Sequence, residues 1–278
     1  MRSDAKKLFY FHANGNALGG VIETPMHKVV PSQASVSIPH VGGHAATRTE
    51  AFNFEEIVSC SAAYTRVSGG QGGHDGAWTI TATTVVEDLK ILEVFSAERI
   101  VAQLSAEHPF DGGLPRYSFA GTHFDGVKIC GRDASFALNP SLLEGVAAGG
   151  SRDPITWPLF HKTGRQQAAK LIKSVQGDSE RDAYQWVIDR YGWMASERDP
   201  KAHGSVLCSL VDGVASPVAG RSFGHVIHIP HFGSIFLGEV LADSPAAVYV
   251  YSFRAELGCG VRGHLSGPSA QVRGVPYP

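Results

Sequence analysis

Thirteen histidines and four cysteines are the chain's main stock of metal-binding and proton-transferring side chains. His225, His228 and His231 recur at every third position. Imidazole titrates near neutral pH and is the commonest metal ligand, so this spacing raises metal chemistry first. Strand geometry argues against it. Successive side chains alternate, so His228 points away from the other two, and His225 and His231 stand roughly 20 Å apart at about 3.3 Å per residue. A second set is His40 and His44, separated by Val41-Gly42-Gly43, with Glu50 beyond. Ile38-Pro39-His40-Val41-Gly42 is echoed by Ile229-Pro230-His231-Phe232-Gly233. If the two segments lay side by side, His40, His44 and His231 would converge. They would form an open site for a divalent ion such as zinc, iron or manganese, as a hydrolase- or oxygenase-type metalloenzyme requires. The competing reading is histidines that hydrogen-bond backbone groups in the core or at the surface, and we rank it first.

Nucleophiles are weaker candidates. Gly220-Arg221-Ser222-Phe223-Gly224 is formally GxSxG, and Asp243 and His264 follow in hydrolase order. A nucleophile elbow needs a strand before the serine and a helix after it. Here a β-like run follows, so Ser222 reads as a turn residue. Glu55-Glu56, Glu87-Asp88 and Asp111 are scattered carboxylates that read as solvated strand ends. The glycine tract 68–76 lacks both the GK[ST] of a phosphate loop and the GxGxxG of a dinucleotide fold. Cys60, Cys130, Cys208 and Cys259 form no CxxC pair, so a zinc knuckle is not expected, and all four are expected to be reduced.

The elements that must position these groups are mainly strands. Residues 247–257 alternate strictly, with Tyr249, Tyr251, Phe253, Ala255 and Leu257 on one face. Residues 8–12, 19–23, 34–38, 55–67, 78–86, 89–95, 100–104, 205–211, 224–229 and 232–241 read as further strands, and 117–138 as a meander. Ala13-Asn14-Gly15-Asn16 reads as a turn. Only 155–195 shows helical spacing. There Ala168, Leu171, Ile172 and Val175, then Tyr184, Val187, Ile188 and Tyr191, fall inward, and Gly192 would end the second helix. We therefore expect one β-rich domain over 1–278, an antiparallel β-sandwich or distorted barrel with a two-helix excursion at 155–195.

A net charge of −2 and a pI near 6.7 offer no basic field for nucleic acid or anionic membranes, so neither is an expected partner. The apolar run 8–11 is shorter than the about 7–15 residues of a signal-peptide core, and no run approaches the roughly 20 of a membrane helix, which predicts a soluble cytoplasmic protein. Residues 232–241 are apolar on both faces except Ser234 and Glu239, with no lysine to guard an edge, which predicts self-association as a homo-oligomer; the competing account is cover from Ala168, Leu171, Ile172 and Val175 within one chain. The expected function is that of a binding or self-associating protein, with a small-molecule ligand among the partners. The metal-dependent enzyme is the alternative.

Overall fold

The computed structural model describes residues 8–72, 76–113, 115–140, 158–196, 205–215, 218–244, 247–258 and 260–277. Within them the chain is mainly β. An 11-stranded and a 10-stranded sheet dominate, with a two-stranded one beside them, and the ladders that build them are antiparallel. The first sheet holds the N-terminal strand Leu8–Asn16 and the hairpin Gly233–Ser244/Ala247–Gly258. It also holds the C-terminal strand Ser269–Tyr277. The second is built on the long hairpin Trp78–Ile91/Phe95–His108, flanked by Ala62–Gln71 and then Gly43–Thr49. The sheets pack face to face, the N- and C-terminal strands lying across the long hairpin.

Two helices cover the outer face of the first sheet. α1 spans Pro158–Gln176 and α2 spans Gln185–Ser196, with a 3-10 turn at Arg181–Tyr184 between them. Ala168, Leu171, Val175, Val187, Tyr191 and Met194 are buried as one stripe, while Ile172 and Ile188 are only half-buried. One hydrophobic cluster joins this stripe to Phe236 and Val240 of the first sheet and to Ile80 and Leu104 of the second. Gly192 lies inside α2 rather than at its end.

The strand Gly233–Ser244 is not an edge. It pairs with Ala247–Gly258 on one side and with Val226–Ile229 and Val206–Ser209 on the other. Phe236 lies beneath the Trp186 ring of α2 at 6.1 Å. Within one chain, α2 thus covers the outer side of the run 232–241 at Phe236, and the second sheet covers its inner side.

Several local expectations fail for identifiable reasons. Asn14-Gly15 is strand, not turn: Leu8–Asn16 pairs residue by residue with Ser269–Tyr277. Gly15 is there because the sheets approach closely, and a Cβ would lie 2.3 Å from Thr84 Oγ1 and 2.6 Å from Thr65 Cγ2. Residues 55–67 open on a two-residue turn and are interrupted at Ser61, and 89–95 are broken by a two-residue turn. Glu55 and Glu56 take φ of 50° and 58°, and Leu92 and Glu93 take 48° and 53°. This is the left-handed pair of a type I′ hairpin, whose twist matches the strands.

The period of 247–257 also breaks. Tyr249 and Tyr251 lie opposite Leu241 and Glu239, whereas Phe253 lies opposite Leu237 and packs its ring 4.5 Å from Phe95 of the second sheet. Gly238, at φ 61°, sits opposite the slip. Ser252 is buried with Phe253 and donates to the Val101 carbonyl at 3.1 Å. The tyrosines therefore face the opposite side from Phe253, Ala255 and Leu257.

Cys60, Cys130 and Cys208 are free thiols, and Cys259 lies outside the described residues. Cys60 and Cys208 are buried, and burial raises both thiol pKa values. Of these three, only the exposed Cys130 is expected to react with a thiol reagent in the native state. Peptide mapping before and after denaturation checks this, and native labelling of Cys208 would show that its region opens.

Candidate ligand-binding groove

The three histidines proposed as metal ligands lie apart. His40 sits in the 39–42 turn beside the N-terminal strand, its ring 6.3 Å from those of Tyr10 and His12. His44 pairs with Ser68 and is exposed. The next pair, Ala45 and Val67, packs inward, as does Gly69 against Phe11 and Ile38, so alternation turns His44 to the outer side of the second sheet. His231 occupies the turn before Gly233, exposed, at φ 63°. Gly233 pairs with Leu257 at one end of Ala247–Gly258, whereas Arg273, the cross-strand partner of His12, pairs with Ala247 at the other. A strand of that length spans about 30 Å at roughly 3.3 Å per residue, so His231 is remote from His40. Among the described residues no group of three or more His, Cys, Asp or Glu side chains is placed to hold a metal ion.

His225, His228 and His231 have three different environments. His225 is buried in a hairpin turn. His228 is half-buried beside Tyr184 and Trp186, with Nδ1 3.1 Å from Ser234 Oγ. Ser222 lies within the short strand Arg221–Phe223, which turns directly into another strand, so no helix follows it. The carboxylates have local roles: Asp88 accepts from Ser61 Oγ at 2.6 Å, Asp111 from the Gly113 amide at 2.9 Å, and Glu87 pairs with Arg99 at 3.7 Å.

The structure instead brings together residues that the sequence did not connect. On the outer face of the first sheet, Tyr10, His12 and Asn14 lie opposite Val275, Arg273 and Gln271. The 36–42 segment is tied alongside by Ile38 N–H to the Ala13 carbonyl at 3.0 Å and by Phe11 N–H to the His40 carbonyl at 2.9 Å. The Gly42 amide donates to the Pro39 carbonyl at 2.9 Å and closes the turn that presents His40. A groove of about 550 Å³ results, floored by the two terminal strands and walled by His40. That volume is within the usual range for small-molecule sites, about 300–1,000 Å³.

The groove's polar side chains are pre-arranged. Asn14 Nδ2 donates to Gln271 Oε1 at 2.7 Å and approaches His12 Nε2 at 3.1 Å. Donation to Nε2 implies that a neutral His12 carries its proton on Nδ1. Burial, then the neighbouring His40 and Arg273, hold the His12 pKa below its ordinary value. A second hollow, about 580 Å³ on the outer face of the other sheet, differs in that a carboxylate, Glu87, lines it beside Arg48 and Arg66. Arg48 there bonds Glu50 at 2.8 Å, and Arg99 bonds Tyr64 Oη at 2.6 Å beside Glu87.

A third constellation is buried between α2 and the first sheet. Glu239, 4% exposed, receives Arg254 Nε at 3.0 Å and Tyr191 Oη at 2.7 Å. The Tyr191 oxygen in turn lies 3.0 Å from His225 Nε2, so a neutral His225 protonated there donates to it. Arg190 and Arg254 flank the Phe236 ring at 4.6 and 4.2 Å and share Glu256 at 3.3 and 2.8 Å. Burial opposes the Glu239 charge, but Arg254, His225, Arg190 and the Tyr191 hydrogen bond outweigh it and lower its pKa. These groups pair with one another, with Arg190 Nε and Arg254 Nη2 left without a hydrogen bond among the described residues, and we assign them to holding the helices on the sheet.

Fold and groove together define an antiparallel two-sheet β protein with a helical cover and a mixed polar and apolar surface site. The chain belongs to a family described as a domain of unknown function (DUF8256), which matches residues 9–243. Tyr10, His12 and His40 fall inside that match, while Gln271 and Arg273 fall outside it. No curated protein and no solved structure matches the chain. No helix among the described residues is long and apolar enough to cross a membrane.

Proposed function

We propose that this is a non-catalytic ligand-binding protein, one domain with a helical excursion, whose site is the groove beside the terminal strands. The supporting observation is convergence. Tyr10 and His12, His40, and Gln271 and Arg273 come from three stretches of sequence, and hydrogen bonds hold these segments in register. A site of this kind needs only a few placed polar groups within an apolar hollow. The Glu239 constellation is buried beneath α2, and the hollow at Arg48 and Arg66 is lined by the carboxylate Glu87 with few apolar side chains.

The reading is tested by screening a small-fragment library against the protein and following imidazole resonances by NMR. Binding fragments are expected to shift His12 and His40 together while leaving His44, His231 and His264 in place. Fragments that bind while leaving His12 and His40 in place, or no binding at all, would overturn it.

A further inference from the structure

Resting on that reading, we propose that the groove takes a small organic oxyanion, a carboxylate or phosphate monoester carried on a flat apolar body, with Arg273 as its charge partner. Three observations lead there. First, no aspartate or glutamate lines the groove, and among the described residues Arg273 has no carboxylate partner. Seven of the twelve arginines among the described residues have one; Arg66, Arg132, Arg165 and Arg262 also lack one, but none of them lines this groove. A guanidinium is a planar fork of donors suited to carboxylate and phosphate alike.

Second, the polar neighbours are donors or cations. Burial and then the neighbouring His40 and Arg273 disfavour a proton on His12, and the Arg273 charge beside it favours an anion. With its oxygen taken by Asn14, Gln271 has its amide nitrogen left to donate. Third, the groove is too large for a bare ion and has an apolar rim. Four of the six large hydrophobic side chains exposed among the described residues, Leu8, Tyr10, Val41 and Val275, lie on these same segments. An exposed apolar cluster around a cationic centre fits a ligand with a charged head and a flat body. Tyr10 and His40, edge to face, supply the ring surface.

Calorimetric titration of the full chain with phenyl phosphate, benzoate, inorganic phosphate and the uncharged benzyl alcohol tests this. Phenyl phosphate or benzoate should bind one to one and at least tenfold tighter than benzyl alcohol and inorganic phosphate. Preference between the two anions separates a phosphate from a carboxylate ligand. Arg273→Gln, an exposed change, should weaken the anion about tenfold or more while sparing benzyl alcohol. His40→Ala should weaken both through lost ring contact. Benzyl alcohol binding as tightly as the anions, or an unchanged Arg273→Gln affinity, would overturn the oxyanion while leaving the groove as a site. Inorganic phosphate matching phenyl phosphate would remove the apolar body. Binding by none of the four would overturn the inference and the ligand-binding reading together.

Discussion

Glu239→Ala is expected to lower unfolding stability by about 3–5 kcal/mol, the usual cost of removing one partner from a buried charged pair. The carboxylate is 4% exposed and accepts from both Arg254 and Tyr191. Without it, Arg190 and Arg254 face only Glu256, whose side chain is 41% exposed and so screened by solvent. Tyr191 loses its acceptor, and the His225–Tyr191 bond loses its anchor. Tyr191→Phe, which removes one hydrogen bond and no charge, should cost only about 1 kcal/mol. Denaturant midpoints of the two variants measure the difference. A Glu239→Ala midpoint within error of wild type would mean that water or rearranged arginines replace the carboxylate, and the network would then not be what fastens α2.

The sequence announces the strands and hides the places where they meet. The period-two runs and the 3.6 spacing of Ala168, Leu171 and Val175 report local burial, and burial is what makes a strand or helix amphipathic. Those elements were legible. The hairpins at Glu55-Glu56 and Leu92-Glu93 were not, because their left-handed residues are not the Asn-Gly or Asp-Gly that marks such turns. Asn14-Gly15 carries a turn signature for another reason: Gly15 leaves room for Thr84 and Thr65 of the facing sheet. Nor could Ser252 be seen to slip the alternation of its strand, since the slip depends on Gly238 of the neighbouring strand.

The site was hidden in the same way. His12 and Arg273 are 261 positions apart in the sequence and become neighbours only through antiparallel pairing of the terminal strands. His40 was visible as a candidate, but as a partner of His44 and His231, because proximity in sequence and a repeated Ile-Pro-His were the available clues. Alternation then turned His44 outward. The one signal that could have found the groove was the polar face of residues 8–14 against that of 271–275, which appears only once the register is known.

Stability is also expected to fall steeply as pH drops from about 6.5 to 4, through two histidines buried without charge. His108 and His225 are each 5% exposed, and burial pushes both pKa values from 6.5 down to about 4. His108 pairs across the strand with Trp78, and its ring meets Phe9 at 5.0 Å. Among the described residues its Nε2 has no hydrogen-bond partner that would hold a proton there. At His225, Glu239 favours the charged form, but burial together with Arg190 and Arg254 prevails.

The sign follows from proton counts. Above pH 6.5 both rings are neutral folded or unfolded, and their contribution to stability is complete. Between 6.5 and 4 the unfolded chain binds two more protons than the native one, so stability is lost as pH falls, by up to about 2.7 kcal/mol per pH unit. Each ring accounts for roughly 3 kcal/mol over the window. Glu239 adds to the loss at the acid end. Its folded pKa lies below the ordinary 4.5, so its contribution is present above that value and disappears as pH falls through the folded one. Urea unfolding at half-unit intervals measures the slope. In His108→Leu the slope should fall by about half, because one of the two linked protons is gone. A midpoint independent of pH across this window would mean that both rings are protonated in the folded protein, and hence that water or a carboxylate reaches them.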